Sequence, residues 1–215
     1  KYFPTPMQAF QFFDKYSRFD YGLGRRETWP ETVDRAVNYL RELSQNKLEK
    51  DDYKRIQQGI LNMEIAPSMR LLAMAGDAAK RQNICIYNCS ATPLDSIDSF
   101  AEIMTIGLAG CGTGWSVEGQ YVANLPPVKT QLKHPPLVYN IADSAEGWVD
   151  AFKLGVNSWF NGNDVIFNYS QIRLAGTPLK TKGGTASGPD SLKKLMTFTR
   201  ELVLSASGRH LTTLE

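Results

Sequence analysis

The 215 residues, 42% hydrophobic and 11% aromatic, suffice for one or two packed domains. The 24 basic and 22 acidic residues, net charge +2, are spread along the whole length with no extended basic stripe, which argues against nucleic acid as a direct partner. No apolar run approaches the roughly 20 residues of a membrane span, and the N-terminal "KYFPTPMQAFQFFDKYSRFD" lacks the apolar core of a signal peptide, so a cytoplasmic protein without membrane contact is expected.

In chain order, "TWPETVDRAVNYLREL" combines a Thr28 and Glu31 capping box with Pro30 in the first turn. It then places Val33, Ala36, Val37, Leu40 and Leu43 at helical spacing. "LEKDDYKRIQQGILNM" puts Tyr53, Ile56 and Ile60 on one face of a second helix ending near Pro67. Residues 1–80 therefore read as a helical region. From residue 81 short apolar strands alternate with longer helical stretches, the pattern of βαβ units and a parallel sheet. "NICIYNCS" reads as the first strand, and "TPLDSIDSFAEIMTIGLAG" as its return helix. That helix is expected to be capped by Thr92, with Pro93 in the first turn and Leu94, Ile97, Ala101, Met104 and Leu108 facing inward. "TGWSVE" reads as a strand. "DSAEGWVDAFKLGVNSWF", "NDVIFNYSQIR" and "GPDSLKKLMTFTRELVLSA" continue as helix, strand and helix between Pro- or Gly-rich turns.

Three cysteines in so long a chain do not make a disulfide framework, which leaves packing, metal or catalysis. Cys85, Cys89, Cys111, His134 and His210 do not fall into the paired spacing of a zinc site, so no metal is expected. On one strand, Cys85 and Cys89 lie about 13 Å apart at roughly 3.3 Å per residue. A disulfide needs Cα atoms within about 7 Å, so these two cannot bridge each other.

Cys111 lies in "GLAGCGTGWSV", where Gly107, Gly110, Gly112 and Gly114 either admit a ligand against backbone at a strand mouth or simply make a tight helix-to-strand turn. Trp115 occupies the position of the third glycine of a dinucleotide fingerprint, and the run precedes a strand, so a Rossmann site is disfavoured. "RLAGTPLKTKGGTASGP", residues 173–189, sets Arg173, Lys180 and Lys182 among small and hydroxyl residues. This suits either phosphate or nucleobase recognition or an ordinary solvated loop. It lacks the Gly-Lys-Ser/Thr ending of a P-loop.

Six ordered stretches, "RRETWPETVDR", "APSMRLLAMAG", "YNCSATPLDSIDSFAEI", "GCGTGWSVE", "SAEGWVDAF" and "IRLAGTPLKTKGGTASGP", resemble the N-terminal half of the catalytic chain of ribonucleotide reductases. The likeness is greatest to the compact types, monomeric adenosylcobalamin-dependent and small phage-type. It implies an α/β fold, with the N-terminal helical region of residues 1–80 followed over residues 81–215 by the first half of a ten-stranded α/β barrel. The implied activity is an oxidoreductase that makes deoxyribonucleotides by a thiyl-radical mechanism. Cys89 matches the first-strand cysteine that is half of the pair reducing the ribose 2′-carbon. The partner thiol would come from a distant strand, and the disulfide must be accessible to a thioredoxin-like or dithiol reductant. Cys85 is then a packing residue.

The same resemblance puts Asn88, Ser90, Cys111, Gly112 and Gly114 at the substrate ribose and base, and Ser68, next to Pro67, at the substrate phosphates. Arg173, Lys180, Lys182, Gly183 and Gly184 fall in a loop that reports the identity of a nucleoside triphosphate effector, with a companion loop between Gln120 and Pro136 and with Asp95 and Ser96 also meeting the effector. The substrate would be a ribonucleoside di- or triphosphate. The radical source would be either adenosylcobalamin or a ferritin-like dimetal subunit acting as partner. The family's N-x-C-x-E finger loop, the partner of Cys89 and a C-terminal cysteine pair do not occur in these residues. The residues shown are therefore expected to be inactive alone. Two other readings remain: a nucleotide-binding regulatory module without catalysis, and a structural domain with three buried thiols that resist alkylation.

Overall fold

A Thr5 and Gln8 capping box opens the first helix, α1 (Pro6–Lys15): the Thr5 N–H donates to Gln8 Oε1 at 3.0 Å, and the Gln8 N–H to Thr5 Oγ1 at 3.3 Å. This element is additional to the helices expected from periodicity. The computed structural model describes residues 2–180 and 183–215, and the chain divides into two compact units: Lys1–Asn88 with Lys180–Gly183, and Cys89–Leu179 with Gly184–Glu215.

In the first unit α1 is followed by a short antiparallel ribbon, β1 (Phe19–Asp20) and β2 (Arg25–Arg26), then α2 (Trp29–Leu43), α3 (Lys50–Leu61), α4 (Met69–Met74), α5 (Asp77–Arg81) and a 3₁₀ turn over Asn83–Ile86. The second helix starts where its capping box places it, with Thr28 N–H donating to Glu31 Oε2 at 2.7 Å. Val33, Ala36 and Val37 are buried as their spacing requires, whereas Leu43 at the helix end is exposed. Phe12, Trp29, Ile60, Leu72 and Cys85 share this core.

Glu27 and Arg35 tie the elements of this unit together. Arg35 Nε and Nη2 donate to the Glu27 carboxylate at 2.8 and 2.9 Å, and Arg35 also donates to the carbonyls of Leu72, Ala75 and Tyr16. The Arg18 N–H and the Thr32 hydroxyl complete the partners of Glu27.

The second unit contains two βαβ units in succession. The first is β3 (Cys89–Pro93), α6 (Ile97–Leu108) and β4 (Gly112–Ser116); the second is β5 (Leu137–Asn140), α8 (Ala145–Phe160) and β6 (Val165–Asn168), with the short α7 (Gly119–Val122) between them and α9 (Asp190–Ser205) after them. Strands β3 and β4 pair in parallel, as do β5 and β6. Helix α8 packs against both α6 and α9 around Ile141, Phe152, Val156, Trp159, Phe160, Leu192, Met196 and Val203. No helix of the described residues is long and apolar enough to cross a membrane.

Three expectations are corrected. "NICIYNCS" is not one strand: residues 83–86 form a 3₁₀ turn closed by Cys85 N–H to Gln82 O and Tyr87 N–H to Ile84 O, because Cys85 is drawn fully into the first core, and the strand begins only at Cys89. The spacing of Cys85 and Cys89 as strand neighbours therefore does not apply. Thr92 and Pro93 do not start the return helix but finish the strand, opposite Trp115 and Ser116. Pro93, which has no N–H to give, is tolerated at that last position, and Ser96 caps α6 instead. Strand β5, directly after the Pro135–Pro136 pair, is additional to the strands expected from the sequence. Along α6, Ala101 is buried and Ile97 and Met104 pack on the core, as expected.

Candidate functional site

Residues directly opposite in a parallel ladder send their side chains to the same face, and successive residues alternate. Cys89 stands opposite Gly112 and Ala91 opposite Gly114, and all four are exposed. Over these two rungs the face they share thus carries nothing larger than a thiol, with Pro93 and Ser116 at its far end. The alternate residues Ser90, Thr92 and Thr113 are partly buried on the other face, where α6 packs. Ser90 Oγ donates to the Gly112 carbonyl at 3.5 Å across the ladder. A Cβ built on Gly114 would meet only Ser90 O at 3.7 Å and Ala91 Cβ at 4.0 Å, which is ordinary contact. Glycine is therefore not forced at position 114 by packing within the chain; it leaves the face flat.

Cys111 precedes Gly112 by one residue and is 4% exposed, with its Sγ 3.6 Å from the Gly112 carbonyl. Alternation turns it away from Cys89, so this pair does not share a face. No disulfide joins any of the three cysteines, and Cys89 is the exposed one. Of the expected substrate residues, Cys89, Ser90, Gly112 and Gly114 come together at this ladder, with Cys111 behind it. Ser68, at the N-cap of α4, and Asn88 are exposed residues of the first unit.

The expected effector residues are placed differently from one another. Ser96 Oγ accepts the Ser99 N–H at 3.3 Å, and Asp95 Oδ1 accepts the Ser99 hydroxyl at 3.2 Å, so both are occupied in starting α6. Arg173 is held by Asp143, with its Nε 2.8 Å from Oδ2. After Arg173 the chain makes a hairpin-like excursion with an antiparallel bridge between Pro178 and Thr185, in which Gly183 and Gly184 take positive φ of 78° and 80°. Lys180 Nζ lies 5.7 Å from the Tyr21 ring centroid. Lys182 lies outside the described residues. The segment from Gln120 to Pro136 is fastened rather than free: Leu125 and Val128 are buried, and Val128, Lys129 and Leu132 N–H groups donate to Arg209, Phe160 and Gly162 carbonyls.

The residue that the sequence reading missed is Asp143. Its signal was the repeated Asp-Ser at a strand-to-helix junction, Asp95-Ser96 before α6 and Asp143-Ser144 before α8. Each serine caps its helix, Ser144 Oγ taking the Gly147 N–H at 2.9 Å.

Among the described residues no three His, Cys, Asp or Glu side chains gather as metal ligands. The flat face does not by itself fit a corrin. Among the described residues this face carries no imidazole, and His210 Nδ1 is engaged with the Leu125 carbonyl at 3.0 Å.

Over residues 121–203 the chain matches the family model described as B12-dependent ribonucleotide reductase, insertion domain. It is 32% identical over 208 residues to the adenosylcobalamin-dependent ribonucleoside-triphosphate reductase of Euglena gracilis, covering 86% of this chain and 28% of that protein. It is 24% identical over 268 residues to the enzyme of the same description from Lactobacillus leichmannii, covering 93% of this chain and 36% of that one. A crystal structure of a B-12 dependent (class II) ribonucleotide reductase superposes with a TM-score of 0.84 at 22% identity, covering 96% of this chain and 38% of that chain. The α/β fold is therefore that of part of a class II reductase. The chain spans about a third of the length of these relatives, less than the half implied by the resemblance.

Proposed function

We propose, from a chain that is a relative of the adenosylcobalamin-dependent ribonucleotide reductases and carries their fold, that it forms the part of the catalytic chain that holds one of the two reducing thiols. The substrate class is the ribonucleoside triphosphates, after the names of the relatives. The same names favour adenosylcobalamin over a ferritin-like dimetal subunit as the radical source, and so no such partner subunit is invoked. Adenosylcobalamin, when bound, would supply the radical that starts the reaction.

The observation that carries this reading is the exposure of Cys89 at the head of the flat β3 and β4 face, while Cys85 and Cys111 are buried. A ribose can approach a thiol whose neighbours on this face of the ladder are Ala91, Gly112 and Gly114. In the reduction, the 2′-hydroxyl leaves as water while Cys89 and a partner thiol give up two electrons and two protons. Their sulfurs join as a disulfide, the 2′-carbon gains hydrogen, and an external dithiol then restores the pair. The prior removal of the 3′-hydrogen requires a thiyl radical, and neither buried cysteine of this chain can reach a substrate to provide it. These residues alone are therefore inactive. By the resemblance, Asn88, Ser90, Gly112 and Gly114 belong to the ribose and Ser68 to the phosphates, Ser90 through its backbone next to Cys89 because its side chain takes the other face of the ladder, and the loop from Arg173 to Pro189 reads a nucleoside triphosphate effector.

The test is Cys89→Ser in the complete protein that carries these residues, supplied with ribonucleoside triphosphates, effector, dithiol and adenosylcobalamin. Repeated turnover is expected to vanish while substrate affinity changes by no more than a few-fold. Undiminished deoxynucleotide formation overturns the role of Cys89. A wild-type protein that binds nucleotides but makes no deoxynucleotide under these conditions overturns the reductase reading.

A further inference from the structure

The loop that leaves β6 and returns to α9 is closed on itself. Gly176 N–H donates to Ala186 O at 2.9 Å, Ala186 N–H to Thr177 O at 2.8 Å, and Leu179 N–H to Gly184 O at 2.9 Å. At the neck, Gly188 has φ of +75°, and a Cβ there would sit 3.0 Å from the Ala175 nitrogen, so the two arms meet backbone to backbone.

At the β6 end of the loop, Asp143 and Arg173 form a side-chain anchor. Asp143 Oδ2 takes Arg173 Nε at 2.8 Å, Asp143 Oδ1 takes the Arg173 backbone N–H at 3.2 Å, and the Asp143 carbonyl takes Arg173 Nη2 at 3.2 Å. One residue thus fixes both the main chain and the guanidinium at the point where the loop begins. The corresponding Asp95 of the first βαβ unit is met by the Ser99 hydroxyl, and among the described residues no arginine is bonded to it. The arginine bonding is therefore no general need of a strand-to-helix turn. Asp143 directly precedes Ser144, the cap of α8, so the anchor joins the loop to the start of a buried helix.

We infer that Asp143 is a positioning residue: through Arg173 it sets the orientation of the loop arms, residues 174–179 and 184–188, relative to the N-terminus of α8 and so determines how faithfully the loop couples effector identity to substrate choice. This rests on the reading of that loop as the effector-sensing element. Arg173 Nε and Nη2 are both taken up by this anchor.

The experiment is Asp143→Asn, with Arg173→Lys beside it, in the complete protein. Asp143→Asn keeps the Ser144 cap and a similar shape, so the fold is expected to persist, with unchanged exchange of α8 amides. Exchange of the Gly176 and Ala186 amides should rise about tenfold through easier local opening. In turnover, the dependence of substrate preference on effector should fall about fivefold or more, while the rate on the best-matched pair stays within a few-fold. Arg173→Lys, which keeps the charge but loses the fork, should show the same loss of discrimination. Wild-type discrimination retained in both variants overturns the positioning role. If the wild-type protein makes no deoxynucleotide, the reductase reading fails, and the exchange measurement alone then decides: unchanged protection at Gly176 and Ala186 in Asp143→Asn removes the anchor as well.

Discussion

Cys89 faces Gly112 across the β3 and β4 ladder, while Cys111, one residue earlier in the chain, turns its thiol to the covered side. The thiol at the head of β3 and the one just before β4 thus take opposite sides of the ladder. Native-state alkylation should therefore modify Cys89 readily. Cys85 and Cys111 should react about a thousandfold more slowly or less, at the rate of opening of their units. Mass mapping of the modified peptides checks this, and equal labelling of Cys89 and Cys111 would contradict the assignment of faces.

Glu27 should govern the acid stability of the first unit. Burial alone would raise its carboxyl, but the Arg35 guanidinium, together with the Arg18 N–H and the Thr32 hydroxyl, holds it below the ordinary glutamate value of 4.5. A carboxylate with a depressed folded value stabilises the fold above about pH 4.5 and loses that contribution as pH falls through the folded value. Glu27→Gln leaves Arg35 without its counter-charge and should cost about 3 kcal/mol at neutral pH. The variant should also show a flatter acid limb, so that the two proteins converge in urea midpoint at low pH.

Two glycines with positive φ should separate strain from collision. Gly176, at φ 85°, has nothing within 4 Å of an added Cβ, so Gly176→Ala pays only for its backbone conformation, about 1 kcal/mol. Gly162, at φ 78°, would drive its Cβ into the Thr130 carbonyl oxygen. Gly162→Ala should therefore cost about 3 kcal/mol or more. Urea unfolding of the two variants side by side distinguishes these outcomes, and similar losses for both would mean that the segment bearing Thr130 yields easily.

What was legible in the sequence was mostly local. The boxes at Thr28 and Glu31, and the buried faces of α2, α3 and α6, follow from short-range chemistry that survives folding. The strand at residue 83 failed because Ile84, Cys85 and Ile86 are apolar for the sake of the first core, and a short apolar run does not reveal which partner buries it. Thr92 and Pro93 looked like a helix start because cap and first-turn chemistry also suits the end of a strand. Within the candidate site, the small residues opposite Cys89 could be read as a place of close approach. The role of Asp143 could not, because its partner Arg173 lies 30 positions away and pairing at that range depends on β5, α8 and β6 being assembled.

The flat face beside Cys89 has a consequence for how such a protein tolerates change. An alanine at Gly114 meets only ordinary neighbours, and the position is not among those with a left-handed backbone. The folded chain would accept it almost unnoticed, while anything that must lie against that surface would lose the space of a methyl group. Selection for expression or heat resistance is therefore blind at this position, and a library screened only for foldedness would pass variants that have lost their use.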